Sequence, residues 1–278
     1  MRKKDKKKKN QIKTYGILTI VVIILCFSLF LSLKSLQKQN NGYKIEDRVE
    51  DIEKAKEKAK EKGTIDYDVI GWLRVEGTNI DLPIVGYKET TTDYSKELEN
   101  YAWNFDSTEK YHNKINIMGH NIMNLSKHPL LHKDYFQRFD DLMSFIYYDF
   151  AKENQYIQYT VDGKNYLYKI YAVGFEYAYK VETYENKELT EEEKKELIDQ
   201  YKKDSLYQYD IDVTEKDDLI SLMTCTRMFD DGNTRDFIVN ARRVREKEET
   251  TKYKVEETKK YQEIKKMLEE EDYENEDA

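Results

Sequence analysis

The stretch S-L-M-T-C-T-R-M-F-D-D-G-N-T-R-D-F, residues 221–237, decides how this chain is read. An apolar run, 219–224, ends on Cys225. Nine largely polar residues, 226–234, follow and contain D-D-G-N, a turn signal. Residues 236–244 then return to a strand pattern. The segment therefore predicts an antiparallel hairpin, with Cys225 closing one strand and Arg235 opening the next, roughly opposite the thiol.

Cysteine usage sharpens the question. The chain has two cysteines, and Cys26 lies in an apolar N-terminal run, so Cys225 stands alone in the remainder. A lone thiol is an intermolecular bridge, a buried inert side chain or a nucleophile. A cation beside it lowers its pKa and can also stabilise an oxyanion. The alternative for Arg235 is a loop ion pair with Asp230 or Asp231.

A thiol nucleophile needs a base. Of the four histidines, His120 ends the strand-like run I-N-I-M-G-H, beside a glycine that permits close backbone approach. Its alternative is a surface loop residue. His128 and His132 have i,i+4 spacing, but Pro129 and the lack of an H-E-x-x-H pattern or a cysteine ligand weaken a metal reading. His112 lies in a polar turn and is expected to face solvent.

Composition bounds the rest. Hydrophobic residues are 39% of 278, enough for one ordinary domain core. The net charge of −8 gives no electrostatic footprint for nucleic acid. Aromatic content of 13%, mostly tyrosine, suits a β-rich fold.

The N-terminus reads as a basic cytoplasmic tail, 1–13, followed by an uncharged apolar run, 14–33. About 20 apolar residues match a bilayer-spanning helix. The basic flank predicts a cytoplasmic N-terminus and an external remainder. No A-x-A site follows the run, so a retained signal anchor is expected rather than a cleaved peptide.

A linker and a weakly amphipathic helix follow over 34–63, with the helix on 45–62. Strands are expected at 71–75, 80–85, 115–119, 144–148, 156–161, 166–175, 219–225 and 237–244, with D-G-K-N as a hairpin turn after 161. About eight strands suggest a closed or nearly closed barrel. Thr190 and Glu193 form a capping-box pattern for a helix over 191–203, and a shorter helix is expected near 132–139. Residues 246–278 read as a charged extension, a surface helix fraying into an acidic tail.

Together the N-terminal anchor, G-H-N at 119–121, L-M-T-C at 222–225 and Arg235 resemble the sortase family, membrane-anchored cysteine transpeptidases of Gram-positive bacteria. Ser221 stands where the family's T-L-x-T-C pattern usually has threonine. The helix before the barrel, the G-W-L-R-V-E-G-T-N-I-D-L-P-I-V opening and the helix between strands six and seven resemble class B.

The resemblance implies an eight-stranded sortase barrel as the catalytic domain over 64–245. It implies Cys225 as nucleophile, His120 as acid and base, and Arg235 as carbonyl and oxyanion donor. The expected donors are surface proteins bearing an NPxTx-like sorting signal. The expected acceptor is an amine of peptidoglycan or a pilin subunit. No cofactor or metal is expected. Two other readings stay open: an exported cysteine peptidase, and a membrane-tethered binding protein without chemistry.

Overall fold

The computed structural model describes residues 42–62, 69–86, 102–104, 113–119, 121, 138–177, 188–226, 228–229 and 235–276, with only the backbone at 59–62, 102–104, 138 and 269–276. Residues 1–43 with 249–251 form one compact unit, and residues 44–248 with 252–278 form the other. In the first, the Tyr43 N–H donates to the Thr250 carbonyl at 2.9 Å.

Helix α1 (Val49–Lys62) precedes strands β1 (Val69–Val75), β2 (Asp81–Gly86), β3 (Ala102–Asn104) and β4 (Lys114–Met118). A 3-10 helix (Arg138–Ile146) leads into the short α2 (Tyr148–Glu153). Next come β5 (Tyr156–Val161), β6 (Lys164–Tyr177), α3 (Glu191–Asp204), β7 (Tyr207–Tyr209), β8 (Leu219–Thr226) and β9 (Arg235–Arg243). The chain closes with β10 (Val255–Glu257) and α4 (Lys259–Glu276).

Eight strands close into a barrel in the order β1-β2-β3-β4-β8-β9-β6-β5, and β7 pairs with β10 in a separate two-stranded sheet. The β5–β6 turn falls on Asp162 and Gly163, both at positive φ (50° and 69°), as the D-G signal requires. Two-residue alternation fills the interior: Ile220 and Leu222 of β8 and Phe237, Val239 and Ala241 of β9 join the main core. The opposite face of the same pair carries Met223 against Ile238, with Met118 beside them.

Helix α3 packs elsewhere on the outside, where its Ile198 and Tyr201 join Tyr171, Ala172, Val213 and Leu219 in a separate apolar cluster. Its N-terminus is the expected capping box: the Glu193 N–H donates to Thr190 Oγ1 at 3.2 Å, and the Thr190 N–H donates to the Glu193 carboxylate at 2.8 Å. Such a cap contributes about 1 kcal/mol. Lys194, Ile198 and Tyr201 form its buried stripe at helical spacing. Helix α1 is tethered at its base, where Arg48 donates to Asp81 at 3.1 and 2.6 Å.

Two expectations need correction. Residues 144–148, expected as a strand, are the end of the 3-10 helix and the start of α2. The segment is buried on consecutive residues, with Leu142, Met143, Phe145 and Ile146 all at 0% exposure. A short apolar run of this kind has no period to separate strand from helix. The C-terminal stretch does form a helix, but not a merely superficial one: its Tyr261, Ile264 and Leu268 are buried in the main core, as is Val255 of the preceding β10. The helix expected at 132–139 falls mostly outside the described residues. So does the apolar run 14–33, and no helix among the described residues is long and apolar enough to cross a membrane.

Candidate active site

Strands β4 and β8 run parallel, with Met118 opposite Met223. Beyond that rung the chain after β4 stays fastened to β8. The Gly119 N–H donates to the Met223 carbonyl at 3.1 Å, and Thr224 Oγ1 donates back to the Gly119 carbonyl at 2.8 Å. The Asn121 side-chain amide then donates to the Cys225 carbonyl at 2.9 Å. Position 119 has to be glycine for packing reasons: a Cβ there would lie 2.2 Å from the Phe139 ring.

His120 itself lies outside the described residues, as do His112, His128, His132 and Arg227. Its two chain neighbours, Gly119 and Asn121, are both bonded to the strand that carries Cys225. Cys225 is a partly exposed thiol outside any disulfide, at the penultimate residue of β8. The structure thus brings the G-H-N motif's described residues and the cysteine together.

Arg235 is the first residue of β9, and the β8–β9 hairpin is antiparallel as expected. The register is one residue away from the expected one: Cys225 faces Asp236, and Arg235 faces Thr226. Alternation therefore assigns Cys225 to the face of Met223 and Ile238, and Arg235 to the face of Phe237. At the start of β9 the Arg235 guanidinium lies over the Phe229 ring, 3.9 Å from its centroid. Phe229 is held edge-on by Phe175 at 4.9 Å, and Phe175 in turn contacts Phe237 at 5.1 Å.

Sequence reasoning missed Phe229 as an arginine platform. The signal was Met228-Phe229, two apolar residues inside an otherwise polar loop. Met228 is buried in the main core, which pins the loop directly after the thiol.

Behind the thiol, four residues back along β8 on the same face, lies a buried polar cluster. Lys114 Nζ donates to Ser221 Oγ at 2.8 Å and also bonds the Asn116 side chain, while Ser221 Oγ donates to the Asn240 side chain. Burial pushes the Lys114 ammonium down to about 7. Ser221, the position at which the sequence departs from T-L-x-T-C, is the hydroxyl that joins Lys114 to Asn240. Among the described residues, no group of three or more His, Cys, Asp and Glu side chains is placed to hold a metal ion.

Residues 73–244 match the family model of the sortase domain. A comparison with curated proteins finds no match. Among solved structures, the chain is similar to sortase B of Clostridium perfringens, at 25% identity and TM-score 0.52 over 68% of this chain and all of that one. It is also similar in fold to a sortase B from the type II pilus of Streptococcus pneumoniae, at 22% identity and TM-score 0.50 over 63% of this chain and 91% of that one.

Proposed function

The chain belongs to the sortase family, whose members are cysteine transpeptidases, and from that premise we propose that it joins surface proteins to an amine through a thioacyl enzyme formed on Cys225. The donor is a C-terminal sorting signal of NPxTx type. The acceptor is an amine of peptidoglycan or of a pilin subunit. A retained anchor at 14–33 holds the catalytic unit outside the cytoplasmic membrane, with the N-terminus inside.

The reaction follows from three residues. Cys225 Sγ, as thiolate, adds to the scissile carbonyl carbon, and the C–N bond breaks. The leaving amine takes its proton from the His120 imidazolium, and a thioester remains on Cys225. The acceptor amine gives a proton to His120 and attacks the thioester. The C–S bond then breaks, which yields the new amide and restores the thiolate. Arg235 donates to the carbonyl oxygen as negative charge develops on it.

The observation that supports this reading best is the pair of ties on either side of His120, from Gly119 and Asn121 to Met223 and Cys225. They anchor the chain that carries the base to the strand that carries the nucleophile. The test is incubation of the full chain in detergent with an NPxTx peptide library and a primary amine, read by mass spectrometry. The expected result is a peptide mass added to Cys225 and an amine-ligated product that increases with amine concentration. Cleavage that is indifferent to the amine would mean a peptidase, and no adduct on Cys225 would remove the mechanism.

A further inference from the structure

Strand pairing sets two buried cations side by side. Lys169 of β6 lies directly opposite Arg242 of β9, and the two are 7% and 2% exposed. Like charges placed opposite each other destabilise a sheet. The carboxylate that meets both comes from beyond β9. Glu248 accepts from Lys169 Nζ at 2.8 Å and from the Arg242 guanidinium through both oxygens, each at 2.6 Å. Two parallel bonds of this kind are the strong form of an arginine–carboxylate contact. Arg242 also donates to the Asp212 and Arg243 carbonyls, which are neutral. Burial alone would raise the Glu248 carboxyl, but the hydrogen bonds from Arg242 and Lys169 outweigh it and bring it down to about 2.

Glu248 is one of several fastenings that lie past residue 244, where the family match ends. The Tyr253 N–H donates to Gln155 Oε1 at 2.8 Å, and Gln155 Nε2 donates back to the Tyr253 carbonyl at 2.7 Å. Tyr253 Oη donates to the Ile170 carbonyl of β6 at 2.6 Å. Strand β10 then pairs with β7, and the Tyr261 ring of α4 meets the Tyr207 ring at 5.0 Å within the main core. Residues 245–248 and 252–268 fall in the same compact unit as the barrel.

We infer that residues 245–268 are a closing strap of the barrel, with the Glu248 carboxylate as its lock, so that strap and barrel open as one unit. The folding unit then ends near residue 268 and not at 244. The opposing picture is a tail laid on a barrel already complete. Such a barrel would balance its own buried charges, whereas among the described residues the carboxylate that Arg242 meets is the strap's. Removing one partner of a buried ion pair is far more damaging than removing a surface contact, because the remaining charge stays out of water. The lock also joins β6 to β9, the strand that begins at Arg235, so an opened strap loosens the strand that carries that residue.

The inference does not depend on the chemistry proposed for Cys225, and its test does not depend on turnover. Hydrogen exchange is followed in the full chain in detergent, by mass spectrometry, at urea concentrations below the unfolding transition. Peptides from 236–243 and from 253–264 are compared. Their protection is expected to agree within about tenfold and to fall with the same urea dependence, as one cooperative opening requires. Glu248→Gln keeps the shape and removes the charge, and it is expected to speed exchange in both segments together by about a hundredfold or more. Strap amides that exchange more than about tenfold faster than those of β9 in the unaltered protein overturn the inference. So does a Glu248→Gln that speeds the strap alone, or one that speeds neither segment. Should Glu248→Gln fail to fold, the comparison within the unaltered protein decides.

Discussion

Asn121 holds the carbonyl of Cys225 by its side-chain amide at 2.9 Å. The bond fixes the backbone at the nucleophile from the residue that follows His120 in the chain. One hydrogen bond of this kind contributes about 0.5–1.5 kcal/mol to stability. Its geometric role is larger, because a misplacement of about 1 Å in a reacting group can cost about a hundredfold in rate. Asn121→Ala is therefore expected to unfold in urea only slightly earlier than the parent while losing about ten- to a hundredfold in kcat. Asn121→Asp is the sharper control. A carboxylate accepts and cannot donate to the carbonyl, so it should do worse than alanine. Wild-type turnover in the aspartate variant would show that the bond does not position the thiol.

Arg235 and Phe229 make the second prediction. The guanidinium lies over the ring, 3.9 Å from its centroid, and the ring is braced by Phe175. The ring therefore holds the guanidinium at the start of β9, one rung from the Cys225–Asp236 pair. Lysine keeps the charge but loses the planar stack and the fork of donors. Arg235→Lys should fold normally and lose about 10²–10³ in kcat, the value of one oxyanion donor. Phe229→Leu keeps an apolar side chain and removes about 0.5–1 kcal/mol of cation–π attraction, so its loss should be smaller and its thermal midpoint nearly unchanged. Steady-state kinetics on both variants decide it. If Arg235→Lys turned over at the parental rate, the arginine would be a structural stack and no more.

How much of this was legible in the sequence depends on what each signal encodes. The strands around Cys225 were legible because apolar runs bounded by D-G-N or D-G-K-N mark hairpins by local chemistry. The capping box at Thr190 was legible for the same reason. Register was not read from the turn, which does not fix it: matching the inward residues of the two strands, Leu222 with Val239, places Asp236 rather than Arg235 opposite the thiol. The core role of Tyr261, Ile264 and Leu268 was hidden by the charge around them, since three apolar residues at helical spacing in an acidic run read equally well as an exposed helix. The Lys114 cluster was invisible because its members, at 114, 116, 221 and 240, meet only through strand pairing.

Gly119 gives a packing prediction. Its Cα faces the Phe139 ring so closely that a methyl group would stand 2.2 Å from it. Phe139 is itself buried, at 3% exposure, and cannot yield freely. Gly119→Ala should cost about 1–3 kcal/mol as overpacking and shift the tie to Met223. Phe139→Ala alone should cost about 3–5 kcal/mol as a cavity. If the two effects share one contact, the double variant should be more stable than the sum of the singles by at least about 0.5 kcal/mol in a denaturation cycle. Strict additivity would mean that the ring is not what excludes a side chain at 119.

Lys114 makes the pH prediction. It is 2% exposed, and its ammonium is surrounded by neutral partners: the Ile115 carbonyl, the Asn116 amide oxygen and the Ser221 hydroxyl. Burial lowers its pKa from the ordinary 10.5 to about 7. The sign follows from proton counting. Between those two values the unfolded chain holds the Lys114 proton and the folded chain largely does not, so falling pH favours unfolding there. The contribution is complete above about 10.5, declines by about 1.4 kcal/mol per pH unit on the way down, and is fully lost below about 7. Lys114→Met fills similar space without a charge, and although it leaves Ser221 and Asn116 one donor short, it removes that slope. Urea denaturation at pH 7.0, 8.0 and 9.0 is the measurement. The difference in unfolding free energy, variant minus parent, should become steadily less favourable to the variant as pH rises, by an amount approaching that slope. A difference that stays constant over the three pH values would mean that Lys114 keeps its proton in the folded state, and that Ser221 and Asn116 solvate a full charge in the wall of the barrel.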